Sequence, residues 1–159
     1  MTHPQTRRLY LVRHGEAKTK DEDPERGLTD AGRVDVNRMA VWAAAKGIHV
    51  DAIQHSGKQR AAQTAEIFAQ QLKVQTEAAP GLAPNDDVAD IARAIERRQG
   101  NIMLVGHLPF LERLAALLTL GTADRSVVTL EAAALSELTG TDEGWQITCL
   151  MQPRFLPGT

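Results

Sequence analysis

The stretch Leu9-Tyr10-Leu11-Val12-Arg13-His14-Gly15-Glu16-Ala17 decides the fold that the sequence predicts. Its first four residues are apolar without polar alternation, which is typical of a strand buried on both faces of a sheet. The arginine, histidine and glycine that follow lie at the carboxyl end of that strand, where open α/β sheets bind ligands. The glycine allows a sharp turn or a close approach to a ligand. A potential nucleophile beside a permanent cation at this edge predicts an anionic substrate.

A second apolar strand, residues 102–105, ends in Gly106 and His107 and repeats this design. Two strands that each deliver an imidazole to one edge predict a shared site. Between them, Ser56 and Gln59 have the spacing of a capping box, which places Arg60 in the first turns of a helix. The start of a helix favours an anion, and a guanidinium adds planar recognition of a phosphoryl group. Without further context, an exposed helical arginine is the simpler interpretation of Arg60.

Composition limits the class of protein. The 159 residues predict one domain, 1–159, with loose ends at 1–7 and 153–159. A net charge of −2 and 43% hydrophobic residues argue against a disordered chain and a nucleic-acid partner. No stretch is apolar enough to span a membrane and no signal peptide is evident, so we expect no membrane partner and a cytoplasmic protein. The one cysteine, Cys149, predicts a small buried hydrophobe without a disulfide.

Hydrophobic periodicity and capping residues predict a three-layer α/β/α sandwich, with a mainly parallel central sheet and an antiparallel C-terminal edge. The predicted helices begin at Thr29, at Ser56, at Asp87 or Asp86, and near Pro109. The other predicted strands are 50–53, 74–77, 127–130, 132–138 and 145–151, with a turn at 140–144 and Trp145 in the core.

Four segments resemble the motifs of the histidine phosphatase superfamily, also called phosphoglycerate-mutase-like. They are Arg13-His14-Gly15-Glu16, GLTDAG at 27–32, SGKQRAAQTA at 56–65 and LVGHLP at 104–109. The segments follow the order of the family and extend from residue 9 to about residue 118. The short chain and its Gly-His-Leu-Pro motif resemble the SixA-like phosphohistidine phosphatases. The resemblance implies the phosphoglycerate-mutase-like form of the predicted sandwich.

The resemblance also implies a catalytic set made of His14, Arg13, Arg60 and His107. His14 is the expected nucleophile, and Arg13, Gly15, Arg60 and His107 are expected to bind the phosphoryl group. No cofactor or metal is expected, because two arginines and a histidinium can neutralise the transferred group. A phosphate dianion would favour the imidazolium form of His107. Metal ligation by His14 and His107 is the alternative chemistry, which the adjacent guanidinium opposes.

The general acid and one further cation stay open. Arg26 lies in a charged loop, 19–26, and either is solvated or holds an anionic partner. Many members of the family have a glutamate after the third strand, whereas this chain offers Asp86, Asp87 and, beside the nucleophile, Glu16. Asp87 equally suits a helix cap. A weak acid favours phosphohistidine over phosphate esters, because imidazole, with a pKa near about 6.5, leaves readily.

These features predict a metal-independent phosphatase for phosphohistidine on a protein partner, such as a phosphotransfer domain. No long insertion is available to cover the site, and an open site admits a phosphorylated side chain or a small phosphorylated molecule. A small-molecule phosphomonoesterase is therefore the first alternative. The second is a non-catalytic module that binds phosphate or a phosphoprotein, which would not require the nucleophile.

Overall fold

The computed structural model describes residues 6–158. Its strands are β1 (Arg7–Arg13), β2 (Ala52–His55), β3 (Thr76–Ala78), β4 (Ile102–Gly106), β5 (Leu135–Thr141) and β6 (Gly144–Met151). Its helices are α1 (Asp30–Ala45), α2 (Gln59–Leu72), α3 (Val88–Arg97) and α4 (Phe110–Leu120), followed by a short 3-10 helix at Pro153–Phe155. The strands form one sheet in the order β3-β2-β4-β1-β5-β6. The first four pair in parallel and β5 and β6 are antiparallel, which confirms the predicted fold class.

Strand β1 is covered on both faces, and this explains its unbroken apolar sequence. Tyr10 and Val12 pack in a cluster with α1 and α2, whereas Leu9 and Leu11 pack in a cluster with α3 and α4. Successive side chains of a strand point to opposite faces, so each face needs its own apolar set. The two helix pairs are the outer layers of the sandwich.

The parallel register of β1 and β4 brings their carboxyl ends level. Arg13 lies opposite Gly106, and the backbone N–H of His14 donates to the Gly106 carbonyl oxygen at 3.0 Å. The residues directly after the two strands, His14 and His107, therefore emerge side by side at one edge of the sheet.

The helix starts confirm two predicted caps and correct a third. Thr29 caps α1 by accepting from the Gly32 N–H at 2.9 Å, and Asp87 caps α3 by accepting from the Ala89 N–H at 2.9 Å. The Ser56 capping box is wrong. Helix α2 begins after Lys58 without a side-chain cap. The Ser56 hydroxyl accepts from the Lys58 N–H at 3.3 Å and is bonded to His107.

One strand prediction and one burial prediction need correction. Segment 127–130 is not a strand, since side chains rather than a neighbouring strand pair with its last residues. Cys149 is only half-buried, because it lies on β6 at the edge of the sheet. Trp145, on the same strand, is buried as predicted.

The chain ends are more ordered than predicted. Arg7 belongs to β1, and its guanidinium donates to three carbonyl oxygens at the end of α3, at 2.9 to 3.1 Å. Pro153 and Leu156 are buried, and Leu156 packs in the cluster of α1 and α2. The rest of the predicted loose ends, residues 1–5 and 159, lies outside the described residues. No helix between residues 6 and 158 is long and apolar enough to cross a membrane.

Candidate active site

His14 is held in one orientation by its own backbone. Its Nδ1 lies 2.7 Å from the carbonyl oxygen of Gly15. A carbonyl oxygen only accepts, so Nδ1 carries the proton and Nε2 keeps its lone pair. This is the tautomer that a nucleophilic imidazole requires.

The surroundings keep His14 neutral. Burial, followed by the charges of Arg60, Arg13 and Arg26, lowers its pKa from 6.5 to about 4, despite the opposing effect of the Gly15 carbonyl. The charges of all three predicted cations therefore act on the imidazole. The ring of His107 is also close, with its centroid 5.1 Å away and a tilt of 54° between the rings.

His107 is paired with Ser56, a contact that the sequence analysis missed. Its Nε2 lies 2.5 Å from the Ser56 hydroxyl oxygen, and the imidazole is 2% exposed. Burial lowers the pKa of His107 to about 3, with further contributions from His14, Arg60, Lys58 and Arg26. The free protein therefore holds His107 neutral, and the expected imidazolium requires a bound anion.

Arg13 is anchored by the segment 129–131, which the side chains of Glu112 and Gln152 hold in place. Its Nη1 donates to the Leu130 carbonyl oxygen at 2.8 Å. The Leu130 N–H donates to the Glu112 carboxylate at 3.0 Å. The buried Gln152 amide accepts from the N–H of residue 131 at 3.0 Å and donates to the carbonyl of residue 129 at 2.7 Å. Glu112 and Gln152 thus fix the position of the Leu130 carbonyl that orients Arg13.

Three buried nitrogen atoms of the predicted catalytic set have no hydrogen-bond partner in the described part of the chain. They are Arg13 Nε, Arg60 Nε and His107 Nδ1. Such groups are rare in folded proteins, because an unpaired buried donor loses its hydration without compensation. A ligand rich in acceptor oxygens, such as a phosphoryl group, matches them.

Helix α2 is joined to the loop after β1 through Thr64. The fully buried Thr64 hydroxyl donates to the Arg60 carbonyl at 2.8 Å and accepts from the Gly15 N–H at 3.1 Å. The Gly15 N–H is therefore already used. A Cβ at Gly15 would also lie 2.6 Å from a methyl carbon of Val36. Gly15 thus orients His14 and packs against α1, and its substrate-binding role stays a prediction.

Arg26 is in the predicted loop and faces the site. Its φ of 51° is in the left-handed region, and its Nε donates to the Lys18 carbonyl at 3.0 Å. Burial and the charge of Arg26 lower the pKa of Arg60. The structure thus brings Arg26 into one cavity with Arg60 of the predicted catalytic set.

The predicted acids are used elsewhere. Glu16 is exposed, and its carboxylate accepts from the Thr29 hydroxyl at 2.8 Å. Asp87 caps α3, and Asp86 accepts from the Ala83 N–H at 2.9 Å. Each carboxylate stabilises a local turn or helix start. No group of three or more His, Cys, Asp or Glu side chains within residues 6–158 is arranged to hold a metal ion.

Comparison with known proteins agrees with this geometry. The family model described as histidine phosphatase superfamily (branch 1) matches residues 9–84, which contain His14, Arg26 and Arg60. The match spans slightly less than half of the chain, and over this part the chain resembles the histidine phosphatase superfamily. The site geometry agrees with a phosphatase that has a histidine nucleophile. No curated protein sequence matches the chain.

Several solved structures share the histidine phosphatase fold. The protein histidine phosphatase SixA, complexed with tungstate, superposes with a TM-score of 0.82 at 22% identity, covering 92% of this chain and 97% of SixA. A mycobacterial glucosyl-3-phosphoglycerate phosphatase gives 0.69 at 14%, covering 90% and 97%. A phosphoserine phosphatase mutant from Entamoeba histolytica, in complex with phosphoserine, gives 0.71 at 14%, covering 93% and 98%. At these identities the likeness establishes the fold alone.

Four positioning residues of this site were not predicted. Ser56 and Thr64 lie inside the recognised 56–65 motif, but their partners are distant in sequence. Glu112 and Gln152 act on Arg13 through a loop carbonyl. No local sequence signal marks such contacts, because they arise only when the elements pack.

Proposed function

We propose that this protein is a metal-independent phosphatase that transfers a phosphoryl group from phosphohistidine on a partner protein to His14 and then to water. The observation that carries the proposal is the set of unpartnered buried nitrogen atoms on Arg13, Arg60 and His107 around a neutral imidazole. An acceptor-rich, doubly charged group next to a free Nε2 lone pair is the ligand that this set suits.

The first step is a transfer between two imidazoles. The Nε2 lone pair of His14 forms a bond to phosphorus while the bond from phosphorus to the substrate nitrogen breaks. The electron pair of that bond stays on the departing imidazole, which takes up a proton from solvent. The Nδ1–H bond to Gly15 stabilises the positive charge that develops on His14.

The second step regenerates the enzyme. A water oxygen attacks phosphorus, the bond to His14 breaks, and its electron pair returns to Nε2. The water proton leaves with the phosphate or passes to solvent. Both steps are limited by positioning and charge compensation, which is the main demand of phosphoryl transfer on a protein.

The surrounding cations stabilise the equatorial oxygens. Arg13 and Arg60 supply fixed charge and planar donors, and Arg26 adds charge from the loop. If the Ser56 hydroxyl donates to Nε2 of His107, Nδ1 carries the proton and donates to a phosphoryl oxygen. A bound dianion would then raise the pKa of His107 from about 3 toward its ordinary range.

The structural roles of the predicted acids support phosphohistidine as the substrate. Glu16 and Asp87 each already accept a hydrogen bond from a local partner, which gives both carboxylates a structural role. A sugar or serine alkoxide leaves poorly without a proton, whereas imidazole, with an ordinary pKa of about 6.5, leaves readily. The fold shared with SixA is consistent with the same preference.

The test is phosphate release in EDTA from a phosphohistidine phosphotransfer protein and from a panel of phosphate esters. His14→Ala should abolish release, whereas His49→Ala, which removes an exposed histidine, should leave it unchanged. Rapid quenching of wild type should trap an acid-labile phosphoenzyme that His14→Ala cannot form.

Two outcomes would contradict the proposal. Ester hydrolysis faster than release from phosphohistidine would favour a small-molecule phosphomonoesterase with another source of the proton. Equal inactivity of wild type and His14→Ala, together with retained binding of inorganic phosphate, would favour a module that binds phosphate without turnover.

A further inference from the structure

A cationic groove adjoins the active site. Lys20, Arg26, Lys58 and Arg60 line a cavity of about 400 Å³ between the 19–26 loop and the start of α2, named here the lysine–arginine groove. Arg60 belongs to both the groove and the proposed phosphoryl site. An anionic group in the groove would therefore be part of the same substrate, or of the same partner, as the phosphoryl group.

The four groove cations form no ion pairs, unlike several other arginines in the described part of the chain. Five ion pairs occur among residues 6–158, and none includes Lys20, Arg26, Lys58 or Arg60. Glu25 is the one carboxylate that lines the groove, and none of these pairs includes it. In a chain with a net charge of −2, four unpaired cations around one cavity create a local positive potential.

The loop side of the groove is fixed before any ligand binds. The Arg26 guanidinium is bonded to the Lys18 carbonyl at 3.0 Å. The Asp23 carboxylate accepts from the Gly27 N–H at 2.9 Å, and Gln63 of α2 accepts from the Leu28 N–H at 2.7 Å. A preformed site loses little conformational freedom on binding, which favours recognition over mere solvation.

The positive charge of the two lysines is more than one phosphoryl group needs. Arg13, Arg60 and Arg26 already supply more positive charge than a dianion carries. Lys20 and Lys58 are exposed at the rim and carry compact, mobile ammonium groups. We infer that Lys20 and Lys58 bind a carboxylate that flanks the phosphohistidine in the partner protein, which makes them specificity-determining residues. This inference rests on the proposed function.

The test uses two chemically phosphorylated histidine peptides that differ only in flanking residues, two aspartates in one and two asparagines in the other. Lys58→Glu should lower kcat/KM for the acidic peptide about threefold to tenfold more than for the neutral one, the range expected for losing an exposed ion pair and adding repulsion. Lys46→Glu makes the same charge change at the exposed end of α1 and should affect both peptides equally. High salt should abolish the difference between the peptides.

Binding of the unphosphorylated peptides separates this inference from the proposed function. If wild type hydrolyses neither phosphopeptide but binds the acidic peptide better, and Lys58→Glu loses that preference, the groove is supported and the function is wrong. If both phosphopeptides are hydrolysed and Lys58→Glu affects them equally, the function stands and the groove inference is overturned. Strong Lys58-dependent binding of a DNA oligonucleotide, with no preference between the peptides, would also overturn it.

Discussion

The buried, neutral His14 should make folding stability depend on pH, and His14→Asn should remove that contribution. The pKa of this imidazole is about 4 in the folded protein and 6.5 in the unfolded chain. Between these values the unfolded state binds a proton that the folded state does not. The contribution to stability is therefore fully present above pH 6.5 and is lost as the pH falls toward about 4.

The size of the effect follows from this separation. Each pH unit between the two pKa values changes the free energy of unfolding by about 1.4 kcal/mol. Lowering the pH from 7.5 to 5.0 should therefore destabilise the wild type by about 2 kcal/mol through His14 alone. Asparagine does not titrate, and its amide can still donate to the Gly15 carbonyl. The variant should lack this loss while keeping the pH dependence of the other groups.

Urea unfolding of both proteins at pH 7.5 and 5.0 measures the difference. The wild-type midpoint should fall by about 1 M more than that of His14→Asn, given a denaturant slope of about 2 kcal/mol per molar for a domain of this size. Equal shifts would refute the reasoning, because they would mean that folded His14 protonates near pH 6.5 like a solvated histidine. Activity should agree with stability, with kcat/KM retained on the acidic side down to about pH 5 because the nucleophile is still neutral.

Three further outcomes test the supporting contacts. Ser56→Ala should lower kcat about fivefold to thirtyfold by removing the partner of His107, an effect of about 1–2 kcal/mol, while Ser56→Thr restores most of it; equal kcat in Ser56→Ala and wild type would contradict the assigned contact. Gln152→Leu should weaken inhibition by inorganic phosphate about tenfold by releasing the Leu130 carbonyl that anchors Arg13, a loss of about 1.4 kcal/mol in binding, and Gln146→Leu on the exposed face of β6 is the control. Gly32→Ala should destabilise the fold by about 1–3 kcal/mol in thermal unfolding, because its Cβ would overlap the Glu16 carbonyl oxygen.

The pattern of short sequence segments was sufficient to predict the fold and the central residues of the site. Unbroken apolar runs ending in Arg13-His14 and Gly106-His107 predict two buried parallel strands, and the register of β1 and β4 brings those ends together. Thr29 and Asp87 predict helix starts because caps act within three residues of themselves. Interactions between residues this close in sequence can be predicted from the neighbouring residues.

The sequence misled where a side chain had a choice between local and distant partners. Ser56 fits a capping box, yet its hydroxyl is bonded to His107, 51 positions away. Residues 127–130 are apolar enough for a strand, yet the Gln152 and Glu112 side chains take the backbone hydrogen bonds of residues 129–131. In both cases a tertiary partner wins, because burial makes its hydrogen bond more valuable than an exposed local one.

By itself, the sequence determined the α/β/α class, the order of the motifs and the presence of His14, Arg13, Arg60 and His107 on elements that lead to one edge. The tertiary structure alone decided the protonation and orientation of His14, because both depend on burial and on the carbonyl of Gly15. It also decided that Glu16 and Asp87 act as local hydrogen-bond partners and that four cations share a groove. The chemical identity of each residue is known from the sequence. Its pKa, its hydrogen-bond partner and the local potential depend on the groups that folding brings within a few ångströms.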